Sequence, residues 1–299
     1  MAGRVIVPDY LRPDALAVPL FHFDSAETLA AMAEAASAHV GVLLIGPDGP
    51  ALEAFARETG RPDQFAVLTA EYDSPWLRDR APVAVREGDT VRQVLPRAEE
   101  QERPKDAALF AALLRGTPET VEVQLAGGNL VAGPGGVAVS TLRVLSDNGL
   151  SDADELAETA RQLGVERWIL TDAFPDDISA HTDCMVRFLS ERLCAVVRRE
   201  DRVELGEITD RLIWELTRSV EGLEVMEVPA RATGERFDSP VNWVQLGRTV
   251  LIPRFGPEDP NCARTAGLLR VAGFDPVEIP CATKGLGGGL HCLTARIFG

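Results

Sequence analysis

The sequence predicts an α/β fold in which five similar units close into a ring. Three observations carry this expectation. Short β-branched segments bounded by Gly, Pro or charged turns alternate with helices, but the helices are too few for a doubly wound sheet. The order strand, turn, strand, helix, strand recurs with a period of roughly 50 to 60 residues. Finally, the last unit opens at LHCLTARIF and has no chain left, while SAETLAAMAEAASA and VGVLLIG near the N-terminus are the helix and strand it lacks.

Taken along the chain, RDRAPVAVREGDTVRQVLPR reads as a hairpin, DAALFAALLRG as its helix and VEVQL as the closing strand. The next unit is GGNLVAGPGGVAVST, then DADELAETARQLG and RWIL, where the helix runs into a glycine suited to a C-terminal cap. HTDCMVRFLSERLCAVVRR, EITDRLIWELTRSV and EVMEVP form the third unit. VNWVQLGRTVLIPRF, NCARTAGLLRVAG and VEIP form the fourth, again with a glycine after the helix. REGDT and RAEEQERPKD, the most charged segments, read as exposed loops, and no stretch has the composition of a linker. One domain over residues 1–299 is expected.

Composition narrows the partners. With 46 acidic against 30 basic residues and a formal charge of -16, the chain repels nucleic acid and anionic membrane on average and attracts small cations. The start MAGRVIVPDYLRPD lacks a signal-peptide core, and no apolar run is long enough to span a bilayer, so a cytoplasmic location is expected. In that compartment Cys184, Cys194, Cys262, Cys281 and Cys292, which include no CxxC pair, are expected to be thiols. A small-molecule substrate fits this profile, and a homo-oligomer stays open.

If each unit opens at the ring axis, the opening residues converge there: Asp79, Gly128-Asn129, His181 with Asp183, Asn242, and Cys292. His181 and Asp183 are two apart on an expected strand and so leave the same face. Cys292 is the nucleophile candidate. A thiol near its ordinary pKa is mostly protonated at neutral pH, and His181 or a cationic substrate would activate it. Gly287, Gly288 and Gly289 before it allow a tight turn and leave room for a ligand. Two carboxylates, Asp79 and Asp183, suit a planar guanidinium, which presents five donors.

These residues stand in an order that resembles the agmatine deiminase and bacterial-type peptidylarginine deiminase group of the guanidine-modifying superfamily, over roughly residues 70–299. The motifs are Trp76-Leu77-Arg78-Asp79 with Pro82, Gly127-Gly128-Asn129, His181-Thr182-Asp183 with Phe188, Asn242 with Pro253-Arg254-Phe255-Gly256, and Gly287-Gly288 with His291-Cys292. The resemblance implies a five-bladed α/β-propeller (pentein) of pseudo-fivefold ββαβ units. It implies hydrolysis of a guanidino compound, agmatine-like or arginine-derived, to a ureido product and ammonia through a thiouronium on Cys292. His181 would act as acid and base, with Asp79 and Asp183 gripping the guanidinium. Trp76, Arg78, Asn129, Asn242 and Gly288 would complete the substrate site, without metal or organic cofactor.

The chain departs from the group in three places. Ala126 stands where an acidic residue usually orients the histidine, which leaves Glu122 or Gln124 as candidate substitutes on the same expected strand face. Gly289 stands where agmatine deiminases usually carry asparagine, and their N-terminal Trp-x-x-His segment is absent. Three other readings use the same residues or fold: an amidinotransferase or dimethylarginine-type amidinohydrolase, a non-catalytic pentein binding protein like the ribosome anti-association factors, and a zinc hydrolase. The last lacks His-x-x-x-His or paired-cysteine spacing. Specificity is expected to lie in RAEEQERPKD and RATGERFDSP.

Overall fold

A computed structural model describes residues 3–20, 26–97, 103–114, 119–232 and 237–298. The N-terminal part holds β1 (Arg4–Ile6), β2 (Ala15–Pro19), α1 (Ala26–Ala36), β3 (Gly41–Gly46), α2 (Gly49–Glu58) and β4 (Phe65–Thr69). Next come β5 (Val83–Glu87), β6 (Thr90–Arg97), α3 (Pro104–Leu113), β7 (Glu119–Gln124), β8 (Val131–Ala132), β9 (Val137–Thr141), α4 (Arg143–Asn148), α5 (Ala153–Thr159) and β10 (Arg167–Thr171). The chain ends with β11 (Val186–Phe188), β12 (Leu193–Arg199), α6 (Gly206–Ser219), β13 (Glu224–Ala230), β14 (Val244–Leu246), β15 (Thr249–Arg254), α7 (Pro260–Val271), β16 (Asp275–Pro280) and β17 (Ala295–Ile297).

Among the described residues the strands form five small sheets, each with an antiparallel pair, a hairpin in four of them, followed by a parallel strand reached through a helix. A parallel partner needs such a crossover, and the helix covers the apolar face that the sheet cannot expose. The fifth unit is completed by the two ends of the chain. β17 pairs antiparallel with β2 (Ala295 opposite Ala17), and β2 pairs parallel with β3 (Ala15 opposite Gly41). β1 extends the sheet of β5, β6 and β7, and β4 extends that of β3.

Closure of the ring is visible in the core. Val85 and Val121 pack with Ala138 and Trp168 across the joint between the β5 and β9 sheets, and Val139 and Ile169 pack with Phe188 and Val196 at the next joint. Val197 and Val228 then meet Val250 and Ile252, and Leu251 and Ile279 meet Leu16 and Leu44. Ala17, Ile45 and Ala295 pack against Leu77 and Phe110, returning to the first unit. Five apolar clusters thus stitch five sheets into a closed circuit, and burial of these side chains is the main favourable contribution to holding it.

The structure corrects three sequence expectations. β2 was not foreseen, because Leu16 to Pro19 are all buried, show no polar alternation and include a proline. β1, β4, α2 and α4 were likewise outside the expectation. Strands expected to start at Cys184, Val241 and Leu293 start at Val186, Val244 and Ala295. The unit-opening residues therefore stand in turns that precede the strands, and Leu77–Arg80, Gly127–Asn129 and Thr182–Cys184 are short 3-10 turns. Residues 98–102 and 233–236 of the two expected specificity loops lie outside the described residues. No described helix is long and apolar enough to cross a membrane.

Candidate active site

The Asn242 side-chain amide braces the turn carrying Cys292. Asn242 Oδ1 accepts from the backbone N–H of Gly289 (3.0 Å) and of Cys292 (3.2 Å). With that oxygen committed to two donors, Nδ2 faces the sulfurs, 3.1 Å from Cys292 Sγ and 3.5 Å from Cys184 Sγ. Arg78 adds a backbone bond to the Cys292 carbonyl (3.1 Å), tying the first unit to the last. The preceding glycines have steric causes. A Cβ on Gly288 would stand 2.6 Å from the Trp76 ring, and Gly287 has φ +82° with Ile178 packed on it.

Asp183, fully buried, accepts at Oδ2 from His291 Nδ1 (2.7 Å) and from the Cys292 thiol (3.4 Å). Its Oδ1 has no partner among the described residues. The second carboxylate, Asp79, divides its oxygens: Oδ1 is 3.7 Å from His181 Nδ1, and Oδ2 is 3.4 Å from Arg103 Nη1. Gly128 makes this packing feasible, since a Cβ there would lie 2.7 Å from His181 Nδ1 and 3.3 Å from Asp183 Oδ2. Ala180, immediately before His181, has φ 52°, a sparsely populated conformation for a residue with a Cβ.

Electrostatics follow from burial and like charge. Loss of solvent pushes the Asp183 carboxyl up to about 6. At Cys292 the neighbouring Cys184 thiol favours the thiolate, but burial and the charges of Asp183 and Asp79 outweigh it and hold the thiol above its ordinary value. Cys184 is pushed up by its contact with Cys292 and by burial. The surroundings of Cys292 therefore favour its thiol form, and a cation placed between the two carboxylates would offset the charge that does so.

Trp76, Asp79, Asn129, His181 and Cys292 line one cavity of about 470 Å³. Asn129 is anchored there, its Oδ1 accepting from the Thr141 amide (2.9 Å). Asp183, fully buried, adjoins this lining through its contact with Cys292. Three other expected substrate contacts are placed differently, and of these Asn242 is fully buried and holds the Cys292 turn without lining the cavity. Arg78 borders two small voids on the far side together with Asp9 and Arg296, and its Nε and Nη2 have no partner among the described residues. Gly288 backs Trp76, and its neighbour Gly287 faces the cavity. His181 and Asp183 do not share a strand face; the 3-10 turn brings them together.

Of the proposed partners for His181, Gln124 borders the same cavity, whereas Glu122 is exposed and lies 3.9 Å from Arg97. Sequence reading missed Cys184, Arg103 and His291. Arg103 sits within a segment read as exposed loop, yet it bonds Asp106 and donates to the Trp76 carbonyl (2.7 Å). His291 was legible only as the neighbour of Cys292. Among the described residues no group of three or more His, Cys, Asp or Glu side chains is arranged to hold a metal ion.

Comparison with known proteins places the chain. Residues 20–297 match the Porphyromonas-type peptidyl-arginine deiminase family. No curated protein matches. Among solved structures, C. jejuni agmatine deiminase superposes with a TM-score of 0.83 at 18% identity, over 99% of this chain and 96% of that one. The agmatine deiminase of Enterococcus faecalis gives 0.79 at 16%, over 99% and 96%. DDAH from Pseudomonas aeruginosa gives 0.57 at 11%, over 96% and 100%. At these identities the likeness is one of fold, and it agrees with the expected α/β pentein.

Proposed function

The chain belongs to the Porphyromonas-type peptidyl-arginine deiminase family, and from that premise we propose that it is a cysteine-dependent hydrolase of a guanidino compound. One observation carries the proposal: three chain segments bring a thiol, an imidazole and two carboxylates together, with Cys292, His181 and Asp79 lining one cavity, Cys292 Sγ 3.4 Å from Asp183 Oδ2 and His181 3.7 Å from Asp79.

In this reading the guanidinium enters between Asp79 and the open Oδ1 of Asp183, making charge-assisted hydrogen bonds. Its positive charge offsets both carboxylates, so Cys292 passes its proton to His181 and the thiolate attacks the guanidinium carbon. His181 gives a proton to the departing nitrogen, which leaves as ammonia, and the carbon remains bound to sulfur as a thiouronium. His181 then takes a proton from water, the oxygen attacks the same carbon, and the carbon–sulfur bond breaks. One water is consumed, and one ureido product and one ammonia form. C. jejuni and E. faecalis relatives of this fold are agmatine deiminases, which supports the reaction class.

The cavity rim favours an arginine-derived acid over agmatine. Arg80, Arg103 and Arg143 line the cavity against two acids, Asp79 and Asp147, so a carboxylate at the distal end of the substrate gains where the ammonium of agmatine is repelled. The test is direct. Purified protein is incubated with agmatine, arginine, acylated arginine and C-terminal arginyl peptides, and ureido product and ammonia are measured. Equimolar ureido product and ammonia from a carboxylate-bearing guanidine, lost in Cys292→Ala, supports the reading. Release of an alkylamine would assign an amidinohydrolase instead, and no turnover of any guanidine would remove it.

A further inference from the structure

Behind the cavity a buried chain of polar groups ends on Asp183, and the proposed reaction uses none of its other members. Asp9 Oδ1 accepts from Arg296 (2.7 Å), and Asp9 Oδ2 is 3.5 Å from Arg187 Nη1. The same Arg187 nitrogen is 2.8 Å from His291 Nε2, and His291 Nδ1 is 2.7 Å from Asp183 Oδ2. Asp9, Arg187, His291 and Asp183 are all at most 5% exposed. The chain passes from the N-terminal segment through β11 to the Cys292 turn, so three distant parts of the sequence meet in it.

The chemistry of the donors settles where the protons are. A guanidinium only donates, so His291 Nε2 accepts from Arg187 and carries no hydrogen. A neutral imidazole then has its one proton on Nδ1, which donates to Asp183 Oδ2. A second proton on the ring is opposed by burial and by the guanidiniums of Arg187, Arg78 and Arg296, all of which face it. Cys292 is the other donor at Oδ2, and no described group meets Oδ1.

We propose that His291 is a positioning residue: its Nδ1–H ties down Asp183 Oδ2 in the carboxylate form, so that Oδ1 is the oxygen offered to the guanidinium. This rests on the proposed deiminase reading. It also gives a reason for a histidine directly before the nucleophile. The ring sets the partner carboxylate from behind, while the Cys292 side chain faces the cavity.

The test uses the full chain carrying His291→Asn, His291→Gln or His291→Ala. The asparagine amide places an N–H near the position of Nδ1, whereas the longer glutamine reaches toward Arg187. His291→Asn should keep kcat/KM within about threefold, and the other two should lose about 10- to 100-fold, mainly in KM, the range of one hydrogen bond to a buried charge. Their acid limb in kcat/KM should also move to higher pH, because Asp183 has lost a donor.

A readout without turnover separates this role from the deiminase reading. Alkylation of Cys292 by the cationic 2-chloroacetamidine is compared with alkylation by neutral iodoacetamide. The wild type should favour the amidinium, and His291→Gln should cut that preference by about tenfold while the iodoacetamide rate stays within about threefold. An unchanged preference in His291→Gln and His291→Ala overturns the positioning role and leaves the deiminase reading intact. Equal loss toward both reagents with a lowered Tm assigns His291 a purely structural role and also overturns it. Absence of any preference in the wild type removes the guanidinium site itself.

Discussion

Replacing Asp183 by asparagine should move two properties of the site in opposite directions. Asp183 is completely buried, 3.4 Å from the Cys292 sulfur, and its Oδ1 has no hydrogen-bond partner among the described residues. In the variant, the amide oxygen accepts from His291 and the amide nitrogen takes the place of Oδ1. A donor then faces the donors of the guanidinium. Losing one charge-assisted bond costs about 1.5–3 kcal/mol and the donor–donor clash adds to it, so kcat/KM for a guanidine should fall by about 100-fold or more.

The thiol should respond the other way. A thiolate and a carboxylate at the 3.4 Å separation repel by about 5 kcal/mol at an effective dielectric of about 20, and the substitution removes that repulsion. Cys292 should then be alkylated by iodoacetamide faster than in the wild type, by about tenfold or more at pH 7. Stopped-time alkylation with peptide mapping and steady-state kinetics on the same preparation give both numbers. If Asp183→Asn slows alkylation and turnover together, Asp183 holds the fold of the site and does not set its charge, and the reasoning fails.

Other expected outcomes concern the same groups. Because burial pushes Asp183 up to about 6, its charged form is lost as pH falls through that value; kcat/KM should drop about tenfold per pH unit below about 6 and level off above it, and the acid limb should vanish in Asp183→Asn. Gly128→Ala puts a methyl 2.7 Å from His181 Nδ1, so kcat should fall by about tenfold or more with little change in Tm, as read by kinetics and thermal unfolding. Arg143→Ala removes one rim cation, and its kcat/KM on a C-terminal arginyl peptide should fall by about threefold to tenfold while that on agmatine holds or rises.

The five-unit ring could be read from the sequence because each unit repeats a local grammar: a valine-rich hairpin, an amphipathic helix and one more short strand. The closing unit was legible from what the C-terminus lacked. β2 was not, since a fully buried strand with Pro19 has no alternation to read. Site composition was legible because Asp79, His181, Asp183, Asn242 and Cys292 open successive units. Their exact settings were not, because turns and not strands carry them. Trp76-Leu77-Arg78-Asp79 shows the limit: the aspartate and tryptophan face the cavity, while the 3-10 turn sends the Arg78 guanidinium to the far side. The role of His291 depends on Arg187, 104 residues away, a contact that no local pattern contains.

With Ala126 offering no carboxylate, the acid nearest the His181 ring is Asp79, which also faces Arg103. One aspartate thus stands between the His181 ring and the partly exposed Arg103, and a guanidinium bound there would compete with Arg103 for it. The arrangement links substrate entry to the neighbourhood of His181 through a single carboxylate.

The most direct measurement is the intact mass of the protein, quenched in acid during turnover of a guanidino substrate. Covalent capture predicts a fraction of chains heavier by the substrate less ammonia, with the added mass on the peptide containing Cys292, and none in Cys292→Ala. Steady release of ureido product by Cys292→Ala at the wild-type rate, with no mass added to either protein, would contradict the account.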